Sequence, residues 1–335
     1  MMLKKTLRIL LPFIIGAAIL WWMYRNMDWQ TFFTLLTRDM DWGWMALSLV
    51  VGILPCVFRG LRWRMALTPL GERPSRRACI DACFMSYAAS LVIPRIGEVT
   101  RCGTLKTHCG TSFTHSLGTV VTERIIDSIL LILISAVAFF TQLPWLFRFL
   151  RETGTDYRQF LARFTSAGYL VTAACIILII LVALWILWHM HAFRKGRDFF
   201  GSLWDGIASL RKVSSLSLYL LLSFAIWASY FLHFYIAFQA FDFTAGFPPF
   251  MALFIFCIGS FAVIVPTPNG AGPWHFAVKT MLVLCGIAEQ SAVFFALAVH
   301  TIQTLLVVVL GIYGAADLAR PTPSPSHKGR EVDTL

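Results

Sequence analysis

The chain has 335 residues, 58% of them hydrophobic and only 13% charged, with a mean hydropathy of +0.72. A soluble domain carries about 25% Asp, Glu, Lys and Arg, so the composition excludes a water-exposed globule; the apolar residues run in continuous blocks, which excludes the alternating pattern of an outer-membrane barrel. The net charge of +11 resides in the short loops between those blocks, which fits attraction to an anionic membrane leaflet and gives no reason to expect nucleic acid as a partner.

The first apolar block, 9–24, follows Lys4, Lys5 and Arg8 and ends in Trp21-Trp22-Met23-Tyr24-Arg25. It has the charged start of a signal peptide but no small-residue cleavage site, so it is expected to remain as an uncleaved first span. Further runs of the length that a bilayer demands, about 20 residues, lie at 43–61, 117–140, 168–188, 216–240 and 290–314. Two other runs, 78–94 and 249–266, each stop at a proline followed by glycine: Pro94-Arg95-Ile96-Gly97, and Pro266-Thr267-Pro268-Asn269-Gly270-Ala271-Gly272-Pro273. Such clusters end a helix, and broken backbone is tolerated at membrane depth only where protein or a wet cavity surrounds it. Both runs are therefore predicted to be re-entrant half-helices. The segment 141–167 is expected to be an external connector, 193–213 an amphipathic helix on the cytoplasmic leaflet, and 320–335 a disordered cytoplasmic tail rich in proline and serine. Cys56, Cys175 and Cys257 lie inside apolar blocks, so no disulfide framework is expected.

The distribution of Lys and Arg chooses the topology. With six full spans and two re-entrant elements, 20 of the 28 basic residues face the cytoplasm; with eight full spans the division falls to 16 against 11, Arg124 lying within a span in both. The expected architecture is an all-α polytopic protein of the inner (cell) membrane with both termini, and Arg194, cytoplasmic, and with Asp156 and Lys279 external. It divides into repeats at 1–140 and 168–319. Each half reads span, span, re-entrant helix, span, and the halves start from opposite sides, which makes the repeat inverted. Inverted repeats with discontinuous helices are a transporter signature, with the site near the midplane between the halves.

The densest chemical signal is Glu123-Arg124-Ile125-Ile126-Asp127, inside the 117–140 run. At 100° per residue Glu123, Arg124 and Asp127 share one helix face. An ionisable group at that depth costs at least about 2.5–3.5 kcal/mol and must face protein or water. Two readings stand: a buried ion-pair cluster that fixes packing, or a polar cavity that admits a charged head group. A second signal, Pro94-Arg95-Ile96-Gly97-Glu98-Val99-Thr100-Arg101, places Arg95 and Arg101 where they can bracket a phosphate, with Glu98 to hold one of them in the empty site. The alternative is a solvated basic loop. In the other half, the loop Asn269–Gly272 offers free backbone N–H groups suited to an anion. His275 and His300 are either packing histidines or members of a proton relay. Cys102, His108, Cys109 and His115 fit no standard zinc spacing, so neither metal nor cofactor is expected.

Taken in order, Pro94-Arg95-x-Gly97-Glu98-x-x-Arg101, Glu123-Arg124-x-x-Asp127 and Pro266-x-Pro268-Asn269-Gly270-x-Gly272 resemble the flippase-like membrane family named for the transmembrane region of lysylphosphatidylglycerol synthase. The likeness spans about 9–316. Where the family's last motif continues to an Arg-Glu-like pair, this chain has Trp274-His275. The resemblance implies a protein that moves a phospholipid or a lipid-linked head group between leaflets. The full synthase adds a soluble aminoacyl-transferase domain, which is not expected here. No Walker motif, H-E-x-x-H or G-x-S-x-G is present, so facilitated or ion-coupled transport is expected and not an enzyme. An intramembrane lipid-modifying transferase using Glu123 or Asp127 as general base remains an alternative, as does a non-catalytic scaffold for a separately encoded enzyme. The residues expected at the substrate site are Arg95, Glu98, Arg101, Glu123, Arg124, Asp127, Asn269, Gly270, Gly272, Trp274, His275 and His300.

Overall fold

The computed structural model describes residues 13–152, except 15 and 26, and residues 213–320. The span predicted at 168–188 lies outside the described residues, as do all but the last residue of the amphipathic helix predicted at 193–213 and all but the first residue of the tail. Apart from an isolated bridge between Met40 and Phe241, every regular element among the described residues is helical.

Residues 16–24 are helical and lead through Trp29–Thr34 and a π-turn at Leu35–Asp39 to α1, Trp42–Leu67. Asp41 starts α1 by accepting from the backbone N–H groups of Gly43 and Trp44 at 2.7 and 3.2 Å, which satisfies two otherwise orphaned donors. Helix α2, Arg76–Val92, is capped by Ser75. It stops at Ile93, which is extended because the ring of Pro94 disfavours helical backbone before it. Helix α3, Gly97–Cys109, ends at left-handed Gly110, and α4, Phe113–Thr141, starts on Ser112. Helix α5, Leu143–Glu152, falls in the predicted connector.

The described chain resumes at residue 213. Helix α6, Leu216–Gln239, is capped by Ser215; α7, Pro249–Ala262, gives way to a turn ending in Pro266; α8 covers Pro273–Leu284; and α9 covers Glu289–Leu318. Among the described residues, four helices are long and apolar enough to cross a membrane: α1, α4, α6 and α9. At 1.5 Å per residue, α2 and α7 reach only about 26 and about 21 Å.

Helix α1 lies along α6, where the Ser48 hydroxyl meets His233 Nδ1 at 2.9 Å. Helix α2 packs on α1, α3 and α9, while α7 packs on α8 and α4. One core is aromatic, with Phe238 against Phe295 at 4.8 Å and Phe241 between Phe294 and Phe295 at 5.5 and 5.4 Å. The other gathers Trp63, Leu67, Cys79, Cys83, Cys102 and Leu105. Outside, Ile132, Leu133 and Phe140 of α4, Leu221 and Phe224 of α6, and Val309 and Ile312 of α9 stand exposed. So large an apolar exterior is a lipid-facing surface.

The turn from α2 to α3 is tight because Gly97 has no side chain: a Cβ there would sit 2.3 Å from the Ser86 carbonyl oxygen. Gly97→Ala is expected to lose about 1–3 kcal/mol through overpacking. Gly103→Ala on the same helix meets nothing within 4 Å and is expected to gain up to about 1 kcal/mol from helix propensity. Melting midpoints in detergent check both signs.

Candidate functional site

The site is built where α1, α3 and α4 meet. Helix α4 carries Glu123 and Asp127 one turn apart, both buried. From α3, the Arg101 guanidinium donates to Glu123 at 2.7 Å and lies 3.3 Å from Glu98. From α1, Arg62 donates to Asp127 at 2.7 Å and stands 3.7 Å from Glu123. Arg59, one turn earlier, donates to the second Asp127 oxygen at 2.9 Å. Arg124 closes the ring, 3.1 Å from Asp127 and 3.5 Å from Glu98. Two aromatic faces line the guanidinium groups: Arg101 lies over Trp63 at 4.6 Å and Arg62 over Tyr219 at 5.7 Å.

Glu98, Arg101, Glu123, Arg124 and Asp127, predicted from sequence, thus share one network. The residues expected at the site do not include Arg59 and Arg62, which fall at the end of the apolar run read at 43–61. They lie on α1, which runs on to Leu67 past the predicted end at 61, and both are buried. Their i, i+3 spacing, which puts two arginines on one face of a continuing helix, is the signal that could have found them. The network holds four guanidinium cations against three carboxylates, an excess of one positive charge. Arg59 Nε, Arg62 Nη2 and Arg101 Nη1 are buried with no hydrogen-bond partner. Orphaned charged donors in a low-dielectric site carry a desolvation cost that an anion can offset.

Arg95 does not bracket this site with Arg101. It occupies left-handed backbone, φ 64°, at the first break, and its guanidinium donates at 2.6 Å to the carbonyl of Ile264, just before the second break. The Pro268–Gly270 turn in turn packs against α2, so the two breaks meet.

The remaining predicted residues form a second cluster. Asn269 donates through Nδ2 to the Thr304 hydroxyl at 3.0 Å, and its carbonyl lies 3.1 Å from His300 Nε2. The Gly272 N–H donates to His275 Nδ1 at 3.3 Å. The His275 and His300 rings stand 4.3 Å apart, Trp274 is 5.2 Å from His300, and Tyr24 meets His275 edge-on at 5.9 Å. Gly272 is required twice over: its φ is 90°, and a Cβ would press on the Gly16 carbonyl at 3.0 Å. Tyr24 and Thr304 were not singled out in the sequence. This loop therefore bonds within its own half and lies against the N-terminal helix, and among the described residues none of its hydrogen bonds reaches the arginine–carboxylate network.

No curated protein and no solved structure matches the chain. The family described as the lysylphosphatidylglycerol synthase TM region matches residues 9–311. That stretch contains both helix breaks, the ion network and the histidine cluster, and it is most of the chain: this membrane protein belongs to the lysylphosphatidylglycerol synthase transmembrane-region family.

Proposed function

We propose that the protein moves a phosphate-bearing lipid, a phospholipid or a lipid-linked head group, between the leaflets of the inner membrane, and that the arginine–carboxylate network receives the phosphate. The observation that carries this reading is the network's excess positive charge combined with its orphaned guanidinium donors. A purely structural ion cluster would be expected to balance its charges and saturate its donors. Glu123 lies ten residues, about 15 Å, along α4 from Phe113, so an anion here is well below the membrane surface.

The transport reading carries an architecture with it. The order long, short, short, long occurs twice, as α1–α4 and α6–α9. The contacts between halves are reciprocal: α1 with α6, α2 with α9, and α7 with α4. We take the halves as an inverted repeat, with α2–α3 and α7–α8 as re-entrant hairpins inserted from opposite sides. The cytoplasm then receives both termini and Arg77, and the outside receives Lys279. In a background without its eight cysteines, a cysteine placed at Lys279 should react with an impermeant reagent only from outside. Labelling from the cytoplasm would sink this topology.

Transport itself is tested in proteoliposomes by following a labelled phospholipid across the bilayer and analysing its mass afterwards. Protein-dependent movement of an unchanged lipid is the expected result. A lipid of altered mass would mark a transferase, and no movement would leave the scaffold reading.

A further inference from the structure

A cavity of about 360 Å³ opens at the end of the bundle where α9 begins, within the range of small-molecule sites, about 300–1,000 Å³. None of its lining belongs to α1, α3 or α4, so it is distinct from the ion network. The far end of α9, about 42 Å away from Glu289 by helix rise, carries Asp317, which pairs with Arg77 of α2. The cavity brings together two cations, Arg25 and Lys279, and two carboxylates, Asp28 and Glu289, over an apolar wall that includes Phe32 and Phe294. Lys279 and Glu289 meet at 2.5 Å; the lysine is largely covered and the glutamate is largely exposed.

We propose that this cavity binds the head group of a zwitterionic phospholipid from the leaflet at this end of the bundle. The charges choose the head group. An anionic lipid would meet two carboxylates and a cationic one two cations, whereas a head group with both a phosphate and an ammonium finds partners for each. The phosphate takes Lys279 and Arg25 in exchange for Glu289, and the freed Glu289, with Asp28, takes the ammonium. The surroundings choose a lipid over a soluble zwitterion. Trp21, Trp22, Trp29, Trp42 and Trp44 all stand exposed on the segments at this end, and exposed tryptophans gather at the depth of lipid head groups. The apolar wall gives the glycerol and upper chains a surface that free head groups do not need.

The test is binding to detergent-solubilised protein, which reads neither transport nor the ion network, so its outcome is separate from that of the transport assay. Short-chain phosphatidylethanolamine is titrated against short-chain phosphatidylglycerol and chain-free glycerophosphoethanolamine. The ethanolamine lipid should bind at least about tenfold more tightly than either, and Lys279→Gln and Glu289→Gln should each weaken it by about tenfold. Equal binding of the glycerol lipid, equal binding of the chain-free head group, or unchanged affinity in both variants would each overturn the proposal. The comparison of probes on the unmodified protein decides it even if a variant fails to fold.

Discussion

Truncating Arg62 to alanine is expected to destabilise the protein by about 3–5 kcal/mol, the range for removing one partner from a buried ion pair. Arg62 is fully buried. It donates to Asp127 at 2.7 Å and to the Ser223 hydroxyl of α6 at 2.9 Å, and it lies between Asp127 and Glu123. Without it two buried carboxylates lose a shared cation, α1 loses one of its polar ties to α6, and a side-chain-sized void opens beside Tyr219. Arg62→Lys keeps the charge but loses the planar fork that serves both carboxylates, so it should fall between alanine and the native residue. Melting in detergent reads the order. An alanine variant as stable as the native protein would mean that these ion pairs contribute nothing net.

Asp127→Asn should separate folding from function. The carboxamide keeps the shape of the carboxylate and can still accept a bond from one of Arg59, Arg62 and Arg124, which now surround Asp127 at 2.9, 2.7 and 3.1 Å. The fold should lose less than in Arg62→Ala. The charge excess, however, rises from one to two. A site that moves a ligand must hold it loosely enough to release it, so an anionic lipid should bind more tightly and cross more slowly, by about tenfold for each 1.4 kcal/mol of added hold.

Much of the architecture is legible in the residue order because it is set by local physics. Apolar runs of bilayer length mark α1, α4, α6 and α9, and the two proline–glycine breaks mark the end of α2 and the stretch after α7; the helices that follow the breaks, α3 and α8, are not announced by the apolar pattern. The end of α1 is not legible in this way. Arg59, Arg62 and Arg64 look like the start of a loop after an apolar run. The helix continues because Glu123 and Asp127, more than sixty residues on, arrive from α4 to neutralise two of them. Glu98 and Arg101 sit one helical turn apart on α3, so their partnership is visible in their spacing. Arg95 has the same charge and similar sequence proximity, yet the left-handed turn at Pro94-Arg95 aims it at Ile264, a contact 169 residues away. The Asn269–Gly272 loop offered backbone donors, but they are engaged locally: the N–H groups of Gly270 and Ala271 donate to the carbonyls of Thr267 and Pro268, and that of Gly272 donates to His275 Nδ1. Sequence periodicity identifies which face a charge occupies; which distant face meets it is decided by packing.

If the network on α1, α3 and α4 carries a lipid phosphate across the membrane, as proposed, then its carboxylates set how fast the lipid crosses. The most direct measurement compares rates of labelled-phospholipid movement in proteoliposomes containing equal amounts of folded native protein and Asp127→Asn. Protein-dependent movement is expected of the native chain, with a rate lower by about tenfold in the variant and lipid binding retained. Equal rates in the two, with both folded, would contradict it and make the network a packing device.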